Sequence, residues 1–112
     1  MNTQEINEYL ARKAMGWHKE GRAFGQEGWC ISDGIWQIDV LDWYPAEDLN
    51  QAMMCAEKIR LQLSFDLGYS GWSVNINKWL DKEKFVHHIR RTAKTYIELP
   101  LTICEAIIEA ME

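Results

Sequence analysis

Apolar residues recur at two periods along this chain, every third or fourth position in some stretches and every second position in others. The first period predicts helices and the second predicts strands. From about Gln4 to Met15, Ile6, Leu10 and Ala14 share one face with Tyr9 and Trp17 beside it, while Glu5, Glu8, Arg12 and Lys13 fall largely elsewhere. This is the pattern of an amphipathic helix, and Gly16 supplies its stop. A second helix is expected from about Leu49 to Ile59, where Ala52, Ala56, Ile59 and Leu63 keep helical spacing and Asp48 followed by Gln51 resembles a capping box. The third is expected from Leu99 to Met111, with Leu99, Ile103, Ala106 and Ala110 on one face and Ile107 beside them. Pro100 fits its first turn, where a missing N–H costs nothing.

Between these helices the period changes. Trp29-Cys30-Ile31 and the run from Ile35 to Leu41 flank Ser32-Asp33-Gly34, whose Asp-Gly pair suits a tight turn, so a hairpin is predicted. Within the second run Trp36, Ile38 and Val40 share a face opposite Gln37 and Asp39, and Pro45 lies beyond its end. Leu61, Leu63 and Phe65 alternate with Gln62, Ser64 and Asp66, so strand and helix periods compete there. Gly68-Tyr69-Ser70-Gly71 reads as a loop, and Trp72, Val74 and Ile76 then alternate with Ser73, Asn75 and Asn77 as in a half-buried strand. Phe85 to Arg91 reads either as another strand or as an irregular edge. His18 to Gly28 reads as a polar loop, and Asp81 to Lys84 as a solvated connection. The order predicts an α+β fold, a helix/sheet/helix sandwich with a mostly antiparallel sheet and three main helices, in one domain over residues 1–112.

Met15-Gly16-Trp17 at the close of the first helix, the stretch from Pro45 to Ile59, and Leu99-Pro100-Leu101-Thr102-Ile103-Cys104-Glu105-Ala106 together resemble the phage ABA sandwich domain family. The resemblance spans most of the chain in order and departs from the pattern between Asn77 and Tyr96. It implies a sheet sandwiched between helical layers and a phage setting, and brings no catalytic residues with it.

Composition narrows the function. The chain has 112 residues, 47% of them apolar and 26% charged, enough to bury a core and far from a disordered profile. Its net charge of -5 argues against a general duplex nucleic-acid or anionic-membrane surface. Cys30, Cys55 and Cys104 form no close pair and read as reduced cysteines. With no apolar run of spanning length and no leader-like start, the expectation is a cytoplasmic protein, in the host cell if phage-encoded.

Candidate chemistry is sparse. His87-His88, with Asp81, His18 and the cysteines as companions, is a poor metal set, because neighbours in an extended segment point opposite ways. No cofactor is expected. Cys55 and Cys104 sit among apolar neighbours that favour the thiol over the thiolate, and Asp33, Asp39, Asp42, Glu47 and Asp48 offer no forced carboxylate pair. Gly21, Gly25 and Gly28 lack the strand-loop-helix context of a phosphate loop. Charge is distributed unevenly: Lys78, Lys82, Lys84, Arg90, Arg91 and Lys94 oppose Asp81 and Glu83, giving this tract +4 and leaving -9 for the remainder. The tract is a solvated face, a salt-bridged protein interface, or a site where Arg90, Arg91 and Lys94 hold a phosphate-bearing ligand, nucleotide or nucleic acid while Trp72, Trp79 or Tyr96 stack on a base. Among the six tryptophans, Trp36 and Trp72 fall in phase with strand faces and are expected in the core, whereas Trp29, Trp43 and Trp79, with Tyr44 beside Trp43, are candidate interface anchors. These features predict a binding protein without a legible active site, one that sequesters a ligand, engages a host or phage protein, or self-associates as a homo-oligomer.

Overall fold

The computed structural model describes residues 1–21, 23–79 and 85–112, with the backbone alone described at 23, 33, 78, 79 and 85–87. Helix α1 spans Thr3–Lys13 and is closed at its start by a true capping box. The Asn2 side chain accepts from the Glu5 N–H at 2.8 Å, and the Glu5 carboxylate accepts from the Asn2 N–H at 3.2 Å. The helix ends where Gly16 adopts a left-handed φ of 73° and the Trp17 N–H reaches back to the Ala11 carbonyl. Helix α2 spans Leu49–Lys58, and Asp48 caps it by accepting from the Gln51 N–H at 3.0 Å. The Gln51 side chain does not complete a box. Its carboxamide instead joins the Asp42 carbonyl and the Tyr44 N–H, both at 2.7 Å, and so ties α2 to the preceding turn. Helix α3 spans Leu99–Met111 as its period predicts.

Two three-stranded antiparallel sheets complete the α+β sandwich. The first contains β1 (His18–Gly21), β2 (Glu27–Ile31) and β3 (Ile35–Asp39) in that order, and the second contains β4 (Gln62–Gly68), β5 (Gly71–Trp79) and β6 (Phe85–Ala93). Several boundaries differ from expectation. The segment from His18 to Gly28 is not one loop, because His18, Lys19, Glu20 and Gly21 pair with Cys30, Trp29, Gly28 and Glu27. A polar strand bound mainly through its backbone leaves no apolar alternation to detect. β3 stops at Asp39, and Val40–Asp42 form a helical turn instead of continuing the strand to Leu41. The competition near Leu61 resolves as strand: α2 ends at Lys58 with Ile59 as its cap, Arg60 takes a positive φ of 56°, and Leu63 faces its β5 partner Ile76. Phe85 to Arg91 belongs to strand β6, which continues to Ala93 and shifts register opposite Lys78 and Trp79, whereas Asp81 to Lys84 lies outside the described residues.

The core is organised around α3. Leu99, Ile103, Cys104, Ala106 and Ile107 are all fully buried, and the helix packs on β5 and β6 as well as on α2 and α1. A helix apolar on nearly every side requires this many neighbours. Val74, Ile76, Ile89 and Ala93 meet it from the second sheet. Each fully buried aliphatic side chain of this kind contributes on the order of 1.5–3 kcal/mol. The first sheet instead meets α1, through Trp29, Trp17 and Trp43.

Candidate functional site

Three of the residues expected as interface anchors, Trp29, Trp43 and Tyr44, line one groove. Gln4, Asn7 and Glu8 from α1 form one wall, Lys19 and Trp29 from the first sheet form its floor, and Val40, Leu41, Trp43 and Tyr44 form the other wall, enclosing about 220 Å³. Two hydrogen bonds accepted by Asn7 hold the walls together. Its carbonyl accepts from the Trp43 indole N–H at 2.8 Å, and its side-chain oxygen accepts from the Ala46 N–H at 2.9 Å. Trp43 also meets Trp17 edge to face, with ring centroids 4.8 Å apart. Trp29 and Trp43 are therefore not the exposed anchors that loop-proximal positions suggested. At 2% and 3% exposure they are core residues that give the groove its shape, while Tyr44 is 40% exposed.

Electrostatics fix the floor. The Arg12 guanidinium and the Lys19 ammonium each lie 5.3 Å from the Trp29 ring centroid, a cation–π arrangement with two cations. Glu8 holds both, at 3.2 Å from Arg12 and 3.4 Å from Lys19. Burial works to raise the Glu8 carboxyl, but the hydrogen bonds and charges of Arg12 and Lys19 outweigh it and keep the group below its ordinary value. Leu41 stands on the outer wall with 90% of its surface exposed. A second groove, lined by Gly25, Gln26, Glu27 and Asp39, lies against the same Val40 and Leu41. Leu41 is the residue that sequence reasoning missed. Its signal is phase: continued alternation would place it with Gln37 and Asp39 on the polar face, an exposed position for a large apolar side chain.

The basic tract divides. Adjacent residues of β6 point to opposite faces, so Arg90 lies opposite Asn75 on the outer face, while Arg91 lies opposite Val74 on the face toward α3. Arg91 is occupied there by Glu105 at 3.7 Å and Glu109 at 3.3 Å. The two arginines therefore do not form one fork. Arg90 is exposed, with Ser73, Asn75, Asn77, His88 and Thr92 on the same face, and it has no carboxylate partner among the described residues. Trp72 and Tyr96 do come together, with centroids 5.9 Å apart, on the opposite side of the sheet from Arg90. The Lys94 N–H donates to Glu98 at 3.1 Å. The side chains of Trp79 and His87 lie outside the described residues.

The remaining candidates are scattered. His88 Nδ1 is 2.9 Å from the Asn77 side-chain oxygen, and His18 sits 3.5 Å from Glu20. Among the described residues no three His, Cys, Asp or Glu side chains converge as a metal set. Cys30, Cys55 and Cys104 are all buried, with the Cys30 Sγ 3.9 Å from the Gly28 carbonyl. Burial pushes the Cys55 thiol up to about 12, and burial followed by the proximity of Cys55 and Glu105 pushes Cys104 up as well. No described helix is long and apolar enough to cross a membrane.

No protein-family model and no curated protein matches the chain. Its fold is similar to that of a phage protein from Bacillus cereus ATCC 14579 solved by crystallography at 2.0 Å. The TM-score is 0.57 at 18% identity over 96% of this chain and 90% of the other, a likeness of fold.

Proposed function

We propose that this chain is a non-catalytic phage accessory protein that works by binding a protein partner through the groove between α1 and the Val40–Tyr44 turn. One observation carries the reading: buried Trp29 and Trp43 shape a groove whose rim, Leu41 and Tyr44, is left exposed. A concavity shaped by fixed indoles, with Tyr44 exposed at its rim, offers a pocket that a partner's anchor side chain can fill. The matching segment inserts an apolar side chain beside Leu41 and carries a lysine or arginine toward Glu27 and Asp39, which have no cationic partner among the described residues. The phage setting rests on the resemblance to phage sandwich proteins and on the fold likeness to the Bacillus cereus phage protein.

A photo-crosslinking residue placed at exposed Gln4, on the α1 wall of the groove, tests this. One protein captured reproducibly, and lost from Leu41→Asp but kept by a surface change elsewhere such as Thr92→Ala, supports the reading. Failure to capture any protein from infected or lysogenic cells overturns it.

A second reading is favoured by Arg90 alone, exposed on a polar sheet face without a carboxylate partner among the described residues. A phosphate-bearing or nucleotide ligand would then lie across Arg90, Asn75 and His88. It predicts that titration with a nucleotide panel gives saturable binding, abolished in Arg90→Ala and unchanged in Arg91→Ala. Equal loss in both variants, or no binding to any nucleotide, rejects it.

A further inference from the structure

We infer that the outer edge of β4 is a self-pairing surface, through which a second copy of this chain extends the second sheet from three strands to six. β4 is the end strand of its sheet, with β5 on one side and no described strand on the other. It pairs with β5 without interruption from Gln62 to Gly68, so it is a straight, regular edge, free of proline, lysine and bulge. Those are the devices by which an edge is ordinarily kept from pairing. Every second residue turns its backbone N–H and C=O toward the free side.

The side chains supply a further reason. Leu63, Phe65 and Leu67 lie on the face toward the helices, yet α3 covers β5 and β6, leaving Leu63 and Phe65 half-buried and Leu67 67% exposed. The strand is self-complementary about Phe65. Antiparallel pairing of two copies around a two-fold axis there sets Phe65 against Phe65, Leu63 against Leu67 of the second copy, and Ser64 against Asp66. All seven residues pair, apolar side chains meet on the helix face, and polar ones meet on the outer face. Shifting the two-fold axis to Asp66 would set the two Asp66 carboxylates against each other, which disfavours that register. A strand of this length spans about 24 Å. An interface built on one such edge falls at the small end for specific contacts, below about 1,200 Å² in total, so the dimer should dissociate on dilution.

Sedimentation velocity from low micromolar concentration upward reads the equilibrium in the native chain. A monomer that gives way to a dimer with rising concentration is expected, and a monomer at every concentration overturns the proposal. Leu67→Lys, at a position exposed in the monomer, should abolish the dimer while leaving thermal unfolding of the dilute protein unchanged. A dimer that survives this change lies at another surface and also overturns the proposal. Two variants at exposed Ser64 test the register without touching the core. Ser64→Lys faces Asp66 of the second copy twice and should tighten association about threefold to tenfold, whereas Ser64→Asp should weaken it by a similar factor, both effects fading in high salt. Shifts of the same sign, or no shift, reject the Phe65-centred pairing.

Discussion

The two sheets of this protein hold themselves in opposite ways. The second is long-stranded: β5 runs for nine residues, its apolar positions alternate from Trp72 to Ile76, its register shift is confined to the far end at Lys78 and Trp79, and one helix covers the inner faces of β5 and β6. The first has strands of four and five residues, a register shift between Trp29 and Cys30, and helical turns at Ala23–Gly25, Ser32–Gly34 and Val40–Asp42. It lacks the length for a sheet core and is anchored by large aromatics against α1. Regular alternation builds a stable platform, while irregular aromatic anchoring leaves concave surface, and the candidate groove accordingly lies on the irregular side.

The strongest challenge to this contrast is Trp29→Ala. Removing a fully buried indole is expected to cost about 3–5 kcal/mol, measured by denaturant unfolding. If the first sheet were an appendage, hydrogen exchange would show its amides opening alone while those of β5 and α3 kept wild-type protection. Uniform loss of protection would show that the two sheets unfold as one unit.

Gly28→Ala probes how the first sheet uses aromatic cover. A methyl group at Gly28 would run into the six-membered ring of the Trp36 indole, which lies across the glycine. The expected cost is about 1–3 kcal/mol, together with a change in tryptophan emission as the ring is displaced. The corresponding change in the second sheet, Ser73→Ala on its outer face, should leave both stability and emission nearly unaltered.

Asp48→Ala removes the cap that starts α2 and should cost about 1 kcal/mol in thermal or chemical unfolding. Gln51 would still hold the Asp42–Tyr44 turn, so binding at Leu41 should persist. Loss of that binding would tie the groove to the cap instead of to α1.

The smallest effect concerns pH. Glu8 has a folded-state pKa below its ordinary 4.5, so its contribution is complete above that value and is lost as pH falls through the lower, folded one. Glu8→Gln should therefore flatten slightly the acid limb of stability below about pH 4.5 and leave neutral stability nearly unchanged, because the pair is substantially solvent-exposed. A large neutral loss would show that Glu8 holds the Trp29 floor by more than a surface ion pair.

Much of the fold was legible. α3 announced itself through unbroken apolar spacing and Pro100, α2 through the Asp48 cap, and β5 through Trp72, Val74 and Ile76, because in each case local period and burial agree. β1 was hidden because His18, Lys19, Glu20 and Gly21 join a sheet by backbone bonds that impose no apolar code. The groove was half legible. Trp29, Trp43 and Tyr44 were singled out, but as exposed anchors, since position near a strand end does not reveal which neighbour will cover a ring.

The three helices, the α+β class and the uneven charge follow from neighbours a few residues apart along the chain. It took the folded arrangement to part Arg90 and Arg91 across a strand, to hold Arg91 on Glu105 and Glu109, each more than a dozen residues along the chain, and to leave Leu41 exposed beside buried indoles. Such facts depend on what distant segments bring into contact, and local periodicity carries no record of them.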